Sequence, residues 1–135
     1  MRTRRLGVVV AACFVLAACG GETGGSPEPA DLSAADQRVC DAQVRDLKKV
    51  RDVLSADESP VLDVLAATDG AVSTLVDYEA DDPELVQLLA DAANEVAAVN
   101  IAAQGEPTYG SLTAADLERP ASVLADLGSW CSGRD

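Results

Sequence analysis

The 135-residue chain contains no histidine, and only 3% of its residues are aromatic. The absence of imidazole removes Ser-His-Asp and Cys-His nucleophilic mechanisms, histidine-ligated zinc and proton transfer by a group that titrates near pH 7. The scarcity of aromatic side chains disfavours a sugar-stacking cleft for glycoside hydrolysis, and no Gly-rich loop follows a strand pattern to cradle phosphate. We therefore expect a protein that is not an enzyme and that needs no cofactor or metal.

Basic residues are also scarce, with 10 Lys and Arg against 23 Asp and Glu and a formal net charge of −13. Nucleic-acid binding requires clustered basic side chains that displace phosphate counterions, so nucleic acid is not an expected partner. Residues 55–118 hold 14 acidic residues and no Lys or Arg, whereas five basic residues lie within residues 38–51. This bias serves solubility in many proteins, and it also suits the electrostatic steering of a basic partner.

The uncharged apolar run near the start, residues 6–18, is too short to cross a membrane. As a helix it would span about 20 Å, against a hydrocarbon core of ~30 Å. It follows Arg2, Arg4 and Arg5 and ends in small residues, which is the pattern of a cleaved signal peptide. Residues 1–18 are therefore predicted to be absent from the mature protein.

The junction Leu16-Ala17-Ala18-Cys19 resembles the lipobox of bacterial lipoprotein precursors. The resemblance implies that Cys19 receives a diacylglyceryl group, that a peptidase cleaves before it, and that Cys19 becomes the acylated N-terminus. Two acyl chains hold a protein stably at a membrane, so the implied location is the extracytoplasmic face of the cell membrane. The alternative is an ordinary secretory signal. The bias toward Ala, Asp and Arg over Lys resembles that of GC-rich actinobacteria and points to a small actinobacterial envelope lipoprotein.

Residues 20–31 read GGETGGSPEPAD, a composition typical of a flexible linker. The predicted organisation is a lipidated cysteine and linker at residues 19–31, followed by a folded domain at residues 32–135. Removal of residues 1–18 takes away three arginines and no acid. The mature chain therefore carries 7 Lys and Arg against 23 Asp and Glu, a formal net charge of −16.

Apolar residues recur at helical spacing from residue 32 onward, which predicts an all-α domain. Helix 1 is predicted to begin at the N-cap Ser33, to carry Asp36 in its first turn and to run to about Leu54. Ser59-Pro60, an N-cap followed by a proline, predicts the start of helix 2. The predicted buried face of helix 2 consists of Val61, Leu65, Thr68, Val72, Leu75 and Val76.

Asp82-Pro83 repeats the cap-proline pattern and predicts the start of helix 3, which is predicted to end at Gly105. Thr113 can cap a short turn, and Pro120 interrupts the helical pattern after it. Helix 4 is therefore predicted to run from Pro120 to about Cys131. The expected architecture is a small up-down four-helix bundle.

Two cysteines remain for the folded domain, since Cys13 is predicted to leave with the leader and the lipobox resemblance implies that Cys19 is acylated. Cys40 and Cys131 are expected to form a disulfide outside the cytosol. They lie near the start of the first helix and the end of the last, and in an up-down bundle these positions share a pole only if the number of helices is even. The pair and the four-helix count therefore support one another.

The acidic turn between helices 2 and 3 could hold a hard cation. An EF-hand loop begun at Asp77 would need Gly at Asp82 and Glu at Leu88, so only an irregular, weak cation site remains as an alternative. Its carboxylates belong to Asp77, Glu79, Asp81, Asp82 and Glu84. The predicted role is a membrane-anchored, non-catalytic interaction or accessory protein with a basic envelope protein as partner. The alternative is a tethered helical module that binds a small apolar or cationic ligand.

Overall fold

The computed structural model describes residues 31–133, of which 76% are helical, as predicted for the domain. The predicted leader, the lipidated Cys19 and the linker up to residue 30 lie outside the described residues. Asp31–Asp135 form a compact unit of their own. The described elements are α1 (Ala34–Asp46), α2 (Lys48–Leu54), β1 (Glu58–Pro60), α3 (Val61–Asp77), α4 (Pro83–Gln104), β2 (Ser111–Thr113) and α5 (Ala114–Ser132).

A two-stranded sheet interrupts the expected all-α pattern. Strands β1 and β2 pair antiparallel with Ser59 opposite Leu112, and the Val61 amide extends the pairing by donating to the Gly110 carbonyl oxygen at 3.0 Å. Each strand is only three residues long, too short to show an alternation of polar and apolar residues in the sequence. The sheet ties the segment before α3 to the segment before α5.

The first predicted helix is divided at Leu47, so the expectation of one continuous helix to Leu54 was wrong. Ser33 caps α1 as predicted, with its hydroxyl oxygen accepting from the Asp36 amide at 3.1 Å. At the break, the Gln43 carbonyl oxygen accepts from the Leu47 amide at 3.1 Å and from Arg51 Nη1 at 2.9 Å. The spacing of apolar residues could not predict this hydrogen bond between the Arg51 guanidinium and the Gln43 carbonyl oxygen.

Helix α3 begins at Val61, one residue later than the predicted first helical residue, Pro60. Ser59 is buried in β1 instead, where its hydroxyl donates to the Val53 carbonyl oxygen at 2.6 Å, and Pro60 occupies the N-cap position. The predicted buried face was wrong for its last member, because 67% of the Val76 surface is exposed. Gly70 lies within the continuous helix on its exposed side.

Helix α4 has the predicted ends. The Asp82 carboxylate caps it by accepting from the amides of Glu84 at 2.8 Å and Leu85 at 3.3 Å, and Gly105 is the C-cap residue. Among the described residues this is the one helix long and apolar enough to cross a membrane by length and composition. Its buried stripe, from Leu85 to Ala103, packs between α3 and α5 in the core.

Helix α5 begins at Ala114 and continues through Pro120, so the predicted start at Pro120 was wrong. The Thr113 amide and hydroxyl both donate to Asp116 Oδ2 at 3.0 Å, which anchors the first turn. Pro120 is buried within the helix and cannot donate a hydrogen bond to the carbonyl oxygen of Asp116, four residues earlier. The helix continues despite the loss of this one hydrogen bond.

The Cys40–Cys131 disulfide is present as predicted, with the two Cα atoms 5.4 Å apart. It joins α1 to the last turns of α5, and both cysteines are buried. The core around it is rich in leucine and valine and draws on every helix. Its largest fully buried apolar side chains are Leu47, Leu54, Leu75, Leu85, Leu117, Leu124 and Leu127.

Candidate interaction surface

An apolar groove lies between the last turn of α3 and the first three turns of α4, beside the loop that connects them. Its volume is about 270 Å³. Val76 of α3 and Val86 of α4 expose 67% and 47% of their surfaces there. Neighbouring exposed apolar side chains of this kind are typical of contact sites. The groove is lined by Leu75, Val76, Tyr78, Ala80, Val86, Leu89, Ala90 and Ala93.

The loop at the end of the groove, residues 78–82, is fixed in place by a buried carboxylate of α1. Asp36 Oδ1 accepts from the backbone amides of Asp81 at 2.7 Å and Asp82 at 3.2 Å, and only 4% of Asp36 is exposed. The sequence indicated Asp36 only as a first-turn residue of α1. Its contact with a loop 45 residues away could not be read from a local pattern.

Tyr78 forms one wall of the groove and links it to α1. Its hydroxyl donates to Asp46 Oδ2 at 3.1 Å. Burial, together with the hydrogen bond to the Asp46 carboxylate, raises the pKa of Tyr78 above its ordinary value. The nearby Arg51 guanidinium, whose pKa is lowered by burial, donates to both the carbonyl and the side-chain amide oxygen of Gln43. The hydrogen bond to Asp46 therefore holds the Tyr78 side chain, and with it this wall of the groove, against α1.

Acidic side chains surround the loop end of the groove. Asp77, Glu79 and Asp81 are exposed beside the lining residues of the loop, and the last turn of α3 has no basic residue. The carbonyl groups at the C-terminus of a helix add partial negative charge. On the far side of Tyr78, Arg38 of α1 borders a separate hollow that also contains Asp77 and Glu79. None of the described residues that line the groove itself is charged. The two helices that form it carry acidic residues and no Lys or Arg, so their charge favours cationic groups near the groove.

The alternative of a weak cation site at the acidic turn finds no support in the arrangement of its carboxylates. Asp82 is occupied as the cap of α4, and Glu84 Oε2 accepts from Trp130 Nε1 at 3.0 Å. Within residues 31–133, no group of three or more His, Cys, Asp or Glu side chains is placed to hold a metal ion. The acidic turn contributes charge to the surface and capping to the fold.

A buried polar cluster between α3 and α4 was missed by the sequence analysis. Asn100 Nδ2 donates to Thr68 Oγ1 at 2.7 Å and to Asp69 Oδ1 at 2.9 Å, and Gln104 Nε2 donates to Asn100 Oδ1 at 2.5 Å. The Thr68 hydroxyl in turn donates to the Val64 carbonyl oxygen at 2.7 Å. The available signal was an asparagine within an apolar stripe. Because its members satisfy one another, the cluster fixes the packing of α3 on α4.

The described surface therefore exposes apolar side chains in a groove between two helices that carry acidic and no basic residues. This combination is a property of recognition surfaces, since apolar contact supplies affinity and charge supplies selectivity and a faster encounter. Comparison with known proteins found no matching protein-family model, no similar curated protein and no similar solved structure.

Proposed function

We propose that the protein is a membrane-anchored extracytoplasmic lipoprotein whose folded domain is a non-catalytic interaction module for a basic envelope protein. The observation that carries this proposal is the exposed apolar groove between α3 and α4 with acidic residues at its end. Exposed apolar side chains rimmed by polar residues mark contact sites on soluble domains. The acidic rim specifies a basic partner because opposite charges steer encounter and like charges repel.

The extracytoplasmic location is supported by two independent features. The Cys40–Cys131 disulfide belongs to an oxidising compartment, since cytosolic thiols are kept reduced. The lipobox at residues 16–19 supplies an address outside the cytoplasmic membrane and an anchor at Cys19. Neither feature depends on the other, because one lies in the folded domain and the other in the leader.

The linker and the charge of the mature chain define how the domain is presented. We propose that residues 20–31 act as the linker that their composition indicates, with a reach of about 20 Å that keeps the domain close to the bilayer. A formal charge of −16 is repelled by anionic lipid. The acyl chains therefore hold the protein, while the domain remains free to meet a partner in the envelope.

The finer architecture belongs to the same proposal. We propose that α1 and α2 together count as one interrupted helix of an up-down four-helix bundle. In this arrangement β1 and β2 lie at one end of the bundle. The disulfide, the Asp36 contacts with the α3–α4 loop and the Trp130–Glu84 hydrogen bond all support a shared opposite pole. A solution structure with α1 and the end of α5 at different poles would contradict this arrangement.

The alternative function, a tethered module for a small apolar or cationic ligand, has weaker support. The groove volume of about 270 Å³ is below the ~300–1,000 Å³ of typical ligand sites. A hollow of about 680 Å³ between the end of α2 and α5 is large enough, but alanine, serine and acidic residues with a single leucine line it, so it offers few large apolar side chains. Two valines of the groove are also directed to an open surface rather than into an enclosed cavity. An open, shallow apolar surface suits a side chain or helix of a protein partner better than an enveloped small molecule.

Photo-cross-linking in intact cells tests the proposal. A photoreactive phenylalanine analogue replaces Val76 in the groove or, as a matched control, Ile101, since both are 67% exposed. We expect one dominant adduct from position 76, its loss when Cys19→Ala releases the protein from the membrane, and no such adduct from position 101. Identical adduct patterns from both positions, or no adduct from position 76, would refute an interaction role for the groove.

A further inference from the structure

The end of the groove combines two arrangements that are unfavourable for the free domain. Val76 leaves two thirds of its surface in water on the last turn of α3. Asp77 ends the same helix, where its carboxylate lies at the negative end of the helix dipole, and the one basic residue that lines a hollow with it is Arg38 of α1. Departures from local rules concentrate at sites that are completed by a contact. Both would be relieved by one occupant that is apolar on one side and cationic on the other.

We propose that the groove between α3 and α4 docks a cationic amphipathic helix from a protein partner, an inference that rests on the proposed interaction function. A groove between two helices accepts a helix laid along it, with apolar side chains inward. Val76 and Val86 contact the apolar stripe of the incoming helix. Lys or Arg side chains on its flanks meet Asp77, Glu79 and the carbonyl end of α3.

Charge and composition argue against the other occupants. The linker of this chain contains Glu22 and Glu28 and no large apolar side chain, so it offers nothing to fill the groove. A second copy presents basic residues chiefly on α1 and α2, where Arg45 and Lys48 are already paired with acidic neighbours. An anionic membrane surface is repelled by the same carboxylates that favour a cationic helix.

The probe is a synthetic amphipathic helix of leucine and lysine, with two control peptides of equal length. In one control glutamate replaces lysine, and in the other serine replaces leucine. The protein is the oxidised mature chain, residues 19–135, carrying Cys19→Ser so that no detergent is needed. Binding is measured by fluorescence anisotropy of the labelled peptide, and the site is mapped by backbone amide chemical shifts. We expect binding of the leucine-lysine peptide only, with shifts concentrated at the α3–α4 groove.

Exposed residues provide variants that spare the core. The double variant Val76→Ser, Val86→Ser is expected to weaken peptide binding by about tenfold or more, because apolar anchors dominate such contacts. The double variant Leu62→Ser, Ile101→Ser removes comparably exposed side chains elsewhere and is expected to leave affinity unchanged. Asp77→Asn with Glu79→Gln should weaken binding and flatten its dependence on salt. Equal losses in both double variants, or equal binding of the glutamate peptide, would overturn the proposal.

The two proposals fail in different ways. A partner adduct at position 76 in cells together with no binding of the cationic peptide would reject the amphipathic-helix occupant and keep the interaction role. Peptide binding without any cellular adduct would keep the chemistry of the groove and reject the interaction role. Dimerisation of the mature chain that is abolished by Val76→Ser would reassign the groove to a second copy and overturn the inference.

Discussion

Removal of the Cys40–Cys131 disulfide should cost the domain a large part of its stability. The bond closes a sequence separation of 91 residues. In the chain-entropy treatment, a loop of that size restricts the unfolded chain by about 4–5 kcal/mol at 25 °C. Domains of this size are stable by roughly 5–15 kcal/mol in total. The same loss corresponds to a fall in Tm of roughly 20–35 °C.

The assay is urea unfolding of the oxidised chain, the thiol-reduced chain and the variant Cys40→Ala, Cys131→Ala. The reduced chain is the matched control, because it keeps both side chains and loses only the cross-link. We expect the two uncross-linked forms to unfold at similar, much lower urea concentrations and with steeper denaturant dependence, since their unfolded states are less compact. A difference below about 1 kcal/mol between oxidised and reduced chains would refute the stapling argument.

Three further changes have defined outcomes. Asp36→Ala should lower the free energy of unfolding by roughly 2–4 kcal/mol in urea titrations, because it removes two hydrogen bonds to a buried carboxylate; Asp36→Asn, which keeps an acceptor oxygen, should cost clearly less. Gly70→Ala should raise it by about 0.5–1 kcal/mol, since the new methyl group meets no atom within 4 Å in the middle of α3. The folded-state pKa of Tyr78 is raised, so its contribution is complete below pH ~10 and is lost as the pH rises further. Unfolding measured from pH 9 to 12 should therefore show a smaller loss in Tyr78→Phe than in the unmodified chain, whereas Tyr109→Phe, at a position 91% exposed, should change nothing.

Local sequence signals predicted the features that depend on neighbouring residues. The Asp82-Pro83 pair fixes the start of α4 because a capping carboxylate and a proline at the first position act within one turn. The two cysteines of the domain left one pairing, and the structure contains it. Helical periodicity identified Val61, Thr68 and Leu75 as buried on α3. It missed Val64, Ala67 and Ala71, which are also buried.

Features that depend on distant residues could not be predicted in this way. The pairing of β1 with β2, the anchoring of the α3–α4 loop by Asp36 and the division of the first helix near Arg51 each arise from contacts outside a local window. Periodicity placed Val76 in the core because it continues the apolar stripe of α3. Because α3 ends one residue later, Val76 remains 67% exposed. The residue that was wrongly predicted to be buried therefore lines the groove.

The proposed anchor at Cys19 is the central claim of this account, because the proposed location and orientation of the molecule both rest on it. The most direct measurement is the intact mass of the protein purified from the membranes of its own cells. We predict a polypeptide that begins at Cys19, carries a diacylglyceryl thioether, lacks two hydrogens for the Cys40–Cys131 bond and partitions into detergent. Recovery of an unacylated chain from the aqueous phase, with the mass of the bare polypeptide, would contradict the account.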